Sequence, residues 1–287
     1  MPGTLYVVAT PIGNLEDLSP RAARILREVA VVAAEDTRVT RKLLSHFDIH
    51  TPLTSCHAHT GEHKIETLVA RLVAGEALAL VSDAGTPGIS DPGVALVAAA
   101  IDAGAAVLPV PGPSAVVATL SASGLDPSRF VFEGFLPRGR GDQRKVLEPL
   151  RSLPHTLVFY EAPGRVPATL ALLREALGDR RTAVARELTK RFEEFVRGKL
   201  SEVEAHFRET DARGECVIIV EGATDDEPVE REPSVEERLA ELLGAGVSVR
   251  DASRQVSEEL RQPRREVYQM AMDLATALQP PGGGGTD

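Results

Sequence analysis

The chain has 287 residues, enough for two domains of ordinary size or one large one. Apolar residues make up 43% and charged residues 26%, the profile of a folded protein and not of a disordered one. A formal net charge of −10, from 42 acidic and 32 basic residues, argues against a protein that coats nucleic acid without selectivity, although local basic faces remain open. The basic residues are five lysines and 27 arginines, and arginine suits planar, two-point recognition of phosphate. The absence of Trp and a share of 4% aromatic residues argue against recognition built mainly on aromatic stacking platforms. Cys56 and Cys216 are too far apart in sequence for a CxxC metal site and too few for a disulfide framework. The opening MPGTLYVVATP lacks a basic region followed by an apolar run, and the most apolar helical stretch, residues 94–101, is too short to span a membrane. The expected location is the reducing cytoplasm, away from membranes.

Taken in chain order, residues 5–9 (LYVVA) form an apolar, β-branched strand that ends at Pro11. Ser19 caps a helix that runs to about Val29, with Pro20 at its first position. Residues 31–34 form a second strand and 37–47 a helix. In 64–73, Ile65, Leu68, Val69 and Leu72 recur at helical spacing. Residues 77–81 (ALALV) form a strand that ends in the polar turn 82–85, residues 91–103 a helix closed by Gly104, and 106–110 a strand that runs into Pro111-Gly112-Pro113-Ser114. This alternation predicts an α/β domain with a largely parallel sheet over residues 1–114. Residues 115–224 read as a second α/β domain. Its strands are expected at 130–135, 156–160, 182–185, 194–197 and 216–220, and its helices at 143–150, 166–177 and 201–208. The close spacing of the later strands predicts a mixed sheet. Residues 225–233 are acidic and broken by proline, as in a linker. Within 234–279, residues 235–243, 249–260 and 264–277 form three short helical patterns. They resemble a helix-turn-helix module or, equally, a helical appendage without a nucleic-acid role. The Gly-rich tail, 280–287, is expected to be disordered.

In open α/β sheets, ligands bind beyond the carboxyl ends of the strands. Three loops stand there: residues 10–15 (TPIGNL), 82–93 (SDAGTPGISDPG) and 109–115 (PVPGPSA). Glycine permits close approach of backbone to a ligand and proline fixes the presenting loop, so three such loops point to a pocket. The phosphate-binding pattern GxxxxGK[ST], the dinucleotide pattern GxGxxG after the first strand and the hydrolase elbow GxSxG are all absent.

The motifs TPIGNLEDLSPRA, EDTRVTRKLL, SDAGTPGISDPG, PVPGPSA, FEGFLPR, YEAPGR and RELTKRFEE follow one another in this order. Over residues 4–223 the chain resembles the bacterial 16S ribosomal RNA cytidine 2′-O-methyltransferases, a branch of the tetrapyrrole-methylase superfamily. The resemblance implies two α/β domains of the class III methyltransferase type, with S-adenosylmethionine in the cleft between them. It implies a cytidine of small-subunit ribosomal RNA as substrate, and a homodimer. The cofactor-binding residues it implies are Pro11, Gly13, Asp83, Ala84, Gly85, Thr86, Pro87, Ser90, Ser114, Ala115, Tyr160, Glu161 and Leu188. Backbone donors of Gly85, Thr86 and Ala115 would meet the cofactor carboxylate, and an acidic side chain such as Asp83 would face its ammonium or sulfonium.

Cys56, His57, His59 and His63 fall within eight residues, which raises a zinc site as an alternative. The resembled family has a His-rich stretch here without being a zinc enzyme, although Thr60 replaces its usual asparagine. His57 and His59 are therefore expected at a polar rim that touches substrate, and no metal is expected. For catalysis, Glu187 and Lys190 in RELTK are the leading candidates, with Asp36 and Arg38 as alternatives, because a 2′-hydroxyl attacks best when its proton is accepted and its oxygen aligned. Residues 180–199 carry seven basic and three acidic groups, and residues 138–151 five and two. From these stretches Arg138, Arg140, Arg144, Lys145, Arg186 and Arg191 are expected to contact RNA phosphates. The rival readings are a tetrapyrrole C-methyltransferase of the same fold and a nucleic-acid-binding protein without catalysis.

Overall fold

In the computed structural model of the chain, the described residues are 1–210, 214–224, 235–260 and 262–277. The linker expected at 225–233 and the tail at 280–287 lie outside them. Met1–Thr224 forms one compact unit and Asp225–Asp287 a second.

The first five strands are β1 (Thr4–Val8), β2 (Val31–Ala34), β3 (Leu53–Ser55), β4 (Leu78–Val81) and β5 (Ala106–Val110). They form one sheet in the order β3-β2-β4-β1-β5, parallel at every pairing. Period-2 alternation sends successive side chains to opposite faces. Val32, Ala34, Ala79 and Val81 meet Ile25 and Leu26 of α1 (Pro20–Glu28) and Leu44 of α2 (Thr37–His46). Val31, Ala33, Leu78 and Leu80 meet Leu68 and Leu72 of α3 (Glu62–Val73) and Leu96 and Ala100 of α4 (Val94–Asp102). β2 and β4 are buried along their whole length because helices cover both faces. Pro109, which lacks an amide donor, is accommodated because β5 is an edge strand.

Two elements escape the sequence pattern. β3 is three residues long and too short to show a period. The helix α5 (Ala115–Ser123, AVVATLSAS) hides behind small and β-branched residues and ends at Gly124, whose φ of 79° is the left-handed stop. The helix expected from Asp91 begins instead at Val94. A residue before proline is disfavoured in the α region, and Gly93 then takes a φ of 120°, so Asp91 is left in the loop.

The second sheet holds β6 (Phe130–Phe135), β7 (Thr156–Glu161), β8 (Arg181–Arg186), β9 (Glu194–Lys199) and β10 (Cys216–Val220), in the order β6-β7-β10-β8-β9. β6 and β7 are parallel and the other pairs antiparallel, so the sheet is mixed as expected. β10 is buried from end to end between β7 and β8. One face packs Leu157, Phe159, Val184 and Ile218 on α6 (Arg140–Leu147), α7 (Val166–Leu177) and α8 (Leu200–Glu209). The other packs Val158, Val217 and Ile219 on Val116 and Leu120 of α5, with Tyr160 and Leu188 alongside.

The second unit contains α9 (Val235–Gly244), α10 (Val249–Glu259) and α11 (Arg264–Ala277) around Leu239, Ala252, Val256, Val267 and Ala271. Among the described residues, no helix is long and apolar enough to cross a membrane.

Ser19 Oγ accepts the Ala22 amide at 3.1 Å. Ser19→Ala removes that bond, and urea unfolding should show a loss of about 1 kcal/mol with an unchanged denaturant slope.

Candidate active site

Three loops of the parallel sheet are stitched together at its carboxyl edge. Thr10 and Gly85 exchange backbone hydrogen bonds at 2.8 and 3.0 Å, which joins the loop after β1 to the loop after β4. Gly85 has a φ of 83°, a conformation that L side chains avoid. The Thr86 hydroxyl donates to the Pro113 carbonyl at 3.0 Å and ties in the loop after β5. That third loop leads into α5, whose first amides have no partner within the helix.

Facing these loops is the connection from β8 to β9. Arg186 and Glu194 sit opposite one another in the ladder and form an ion pair that closes its base. Within it the Lys190 amide donates to the Glu187 carbonyl at 3.0 Å, and the Lys190 ammonium donates to the Glu187 carboxylate at 2.8 Å. Glu187 and Thr189 have φ of 52° and 62°, sparsely populated backbone that the surrounding contacts must enforce. Two glycines press on this turn. A Cβ at Gly13 would lie 2.6 Å from the Leu188 carbonyl oxygen and 2.7 Å from Lys190 Cγ, and one at Gly214 would overlap the Glu187 carboxylate.

Between the two sheets lies a cavity of about 380 Å³. Ala84, Gly85, Thr86, Ser90, Asp91, Ser114 and Ala115 line it from the first sheet's loops. Tyr160, Glu187, Leu188, Lys190, Gly214 and Glu215 line it from the second, and Ile12, Ile89, Phe135 and Val217 supply apolar wall. Asp91 is its distinctive charge. Burial, helped by the nearby carboxylates Glu35, Glu215 and Asp83, pushes its pKa up to about 6 despite a hydrogen bond from Ser82. Among the described residues, no lysine or arginine pairs with it. Burial likewise raises the Tyr160 phenol to about 12, with Asp91 and Glu215 adding to the shift, and the Cys216 thiol to about 11.

Such a cavity suits an organic cation: carboxylates without a partner for its charge, backbone amides for its polar end, and aromatic and branched walls for a flat apolar part. Residues 4–204 match the Tetrapyrrole (Corrin/Porphyrin) Methylases. The chain belongs to the tetrapyrrole methylase family. Among the relatives of this tetrapyrrole methylase, the ribosomal RNA small subunit methyltransferase I of Synechocystis sp. is 48% identical over 95% of this chain and 98% of its own. The protein of the same name in Xylella fastidiosa is 49% identical over 93% and 98%. A solved structure of uroporphyrin-III C-methyltransferase from Thermus thermophilus, complexed with S-adenosylhomocysteine, matches with a TM-score of 0.52 and 23% identity. That match covers 76% of this chain and 96% of the other and shows the shared fold.

Several expected site residues stand elsewhere in this methylase. Asp83 does not line the cavity: its carboxylate accepts the Asp36 amide at 3.0 Å and its own amide donates to Glu35 at 3.2 Å, a brace between the ends of β2 and β4. Asp91, eight residues on, takes the expected place, and the only local signal for it is that Pro92 keeps it out of the helix. Pro11, Gly13 and Pro87 shape the loops while their neighbours Ile12 and Thr86 do the lining. Glu161 points the other way. It is fully buried and accepts from Thr169 at 2.6 Å and from the Ala162 amide at 2.8 Å, with Arg165 at 3.4 Å, so it is a structural carboxylate. Asp36 caps α2 and grips Arg38 at 2.6 Å, which holds its pKa down to about 2, and neither side chain reaches the cavity.

The expected RNA contacts divide in the same way. Arg186 is largely buried and committed to Glu194, Lys145 pairs with Asp142 at 3.4 Å, and Arg191 lies over Phe192 at 5.6 Å. Arg138, Arg140 and Arg144 come together, joined by Arg165, around a groove of about 560 Å³ beside α6 and α7. His57 lines a basin of about 180 Å³ with Cys56, Thr60 and Asp91, while His59 stays outside it and donates its amide to His57 Nδ1 at 3.2 Å. Asp91 thus borders both the main cavity and the histidine basin. Among the described residues, no three His, Cys, Asp or Glu side chains converge as metal ligands. Glu215 and Gly214, which precede β10, carry no sequence signal, whereas Phe135, the last residue of β6, lies within FEGFLPR, a motif that does not single it out.

Asp91 holds its proton more readily in the folded chain than in the unfolded one. Its folded pKa of about 6 exceeds the ordinary 3.8, so the folded state holds a proton that the unfolded chain releases. The stability this group contributes is therefore greatest in acid and falls as pH rises from about 4 to about 6. Asp91→Asn removes that dependence. Thermal unfolding should show the variant gaining on the wild type at pH 7.5 relative to pH 4.5.

Proposed function

We propose that the chain transfers a methyl group from S-adenosylmethionine to the 2′-oxygen of a cytidine in 16S ribosomal RNA. The observation that carries this reading is one cavity that brings a cation-seeking carboxylate, Asp91, together with the Glu187–Lys190 pair. The relatives' names supply the substrate class. S-adenosylmethionine, when bound, supplies a methyl group already activated by a positive sulfur. Asp91 and Glu215 would face that cation, the backbones of Gly85, Thr86 and Ala115 would hold its amino-acid end, and Leu188 and Tyr160 would flank its base.

The chain's own residues account for handling of the hydroxyl. Lys190 is bonded to Glu187, which fixes the carboxylate in orientation, so the pair offers a proton acceptor beside a cation at the cavity wall. Asp36, with its pKa near 2 and its place outside the cavity, is a poor acceptor. The groove of Arg138, Arg140, Arg144 and Arg165 is read as a track for RNA phosphates, and His57 as a polar contact to the substrate nucleotide. The same reading makes the chain a cytoplasmic homodimer, a partner copy being supported by the exposed apolar side chains Val94, Ile101 and Leu108. Sedimentation that returns a monomer at micromolar concentration overturns the dimer.

The deciding experiment is transfer of labelled methyl from S-adenosylmethionine to small-subunit RNA, naked or assembled, followed by mapping of the modified nucleotide. No transfer to either, with transfer to a porphyrinogen, selects the rival C-methyltransferase. Lys190→Ala should leave S-adenosylhomocysteine binding by calorimetry within about twofold while lowering single-turnover transfer roughly 10²-fold or more.

A further inference from the structure

Arg250, Ser253, Arg264, Arg265, Tyr268 and Gln269 surround an open basin of about 660 Å³ between α10 and α11 of the helical unit. Helical periodicity builds it. Arg264, Arg265 and Tyr268 fall within one turn at the start of α11, and Arg250 and Ser253 are three apart on α10.

The charges of this unit are sorted. Arg238 on α9 is held by Glu241 at 2.6 Å and Glu259 at 3.2 Å, and Arg254 by Asp251 at 3.2 Å. Among the described residues, Arg250, Arg264 and Arg265 enter no ion pair and no side-chain hydrogen bond. Three guanidiniums that share one basin without neutralisation repel one another. The unit does not need them for folding, since its core closes on Leu239, Val256, Val267 and Ala271. Tyr268 stands in their midst with nearly half of its surface exposed. A polyanion would satisfy the arginines. An acidic protein segment would leave the phenol ring without a role, whereas an unpaired nucleotide uses both the charge and the flat ring.

We propose that this basin is a second RNA-contact surface, which grips a single-stranded stretch of the substrate RNA through its phosphates and stacks one base on Tyr268. The proposal rests on the ribosomal RNA methyltransferase reading and extends it to the helical unit. It assigns that unit to substrate capture, apart from the cofactor cavity.

The test uses the full chain and naked 16S ribosomal RNA, with binding followed by fluorescence anisotropy over a salt series. The triple variant Arg250→Ala/Arg264→Ala/Arg265→Ala should bind more weakly, with the slope of log affinity against log salt shallower by about 2. Tyr268→Ala should weaken binding about tenfold with the slope unchanged. Arg254→Ala, outside the basin, should match the wild type, and all variants should keep the wild-type melting temperature and S-adenosylhomocysteine affinity. A triple variant with unchanged affinity and slope overturns the proposal, as does an equal loss in Arg254→Ala. A loss seen with assembled subunits and absent with naked RNA assigns the basin to a ribosomal protein and overturns it too. Methyl transfer by the wild type is scored separately: its absence overturns the parent reading, whereas its presence with an unaffected triple variant overturns the basin alone.

Discussion

The backbone exchange between Thr10 and Gly85 is the constraint on which the cavity depends. The loops after β4, β1 and β5 leave adjacent strands and so emerge side by side, but adjacency alone does not fix their conformation. Two reciprocal hydrogen bonds, made where Gly85 can take a positive φ, fix the first loop against the second, and Thr86 then fixes the third. With that edge rigid, Gly13 can approach the turn after β8 closely enough that any side chain there would collide with Leu188 and Lys190. The positions of Glu187 and Lys190 are thus set from both sides, by their own strained turn and by the glycine against it. Preorganisation of this kind is what a site needs if alignment contributes much of the rate.

Charge is distributed by role. The cavity is acidic, and burial beside other carboxylates pushes the pKa of Asp91 up to about 6. The arginines lie elsewhere, around the groove beside α6 and α7 and around the basin of the helical unit. A small cation and a large polyanion can both be recognised by one chain when the sites for each are separate. The total of −10 is therefore no guide to the partner. It sums an acidic cavity, an acidic stretch at 225–241 with eight acidic and two basic residues, and local basic faces.

Most strands and helices were legible because burial imposes a period. The strand at 216–220 and the helix at 166–177 have the expected bounds because one is buried on both faces and the other presents one apolar stripe to the sheet. The second sheet is mixed because β8 and β9 are joined by a connection too short for a crossover helix, and β10, after α8, enters antiparallel between β7 and β8. What escaped lacked a period. β3 spans three residues, and α5 is built of small and branched residues that favour no state strongly. α4 starts three residues beyond Asp91 because Pro92 and the positive φ of Gly93 keep the intervening residues out of the helix.

The α/β class, the three ligand-facing loops, and the family to which the ordered motifs belong are all readable along the chain. These rest on local patterns: alternation along strands, glycine and proline at turns, and residue strings short enough to read directly. Which side chain in each motif meets the ligand space emerges only once the chain is folded. Asp91 faces the cavity while Asp83 braces two strand ends, Glu161 turns into the core, and Arg186 is consumed by Glu194. The physical reason is that a loop residue's direction is fixed by backbone dihedrals and by contacts with segments far away in sequence. Gly13 against Leu188 and Thr10 against Gly85 are such contacts. No period along the chain records them.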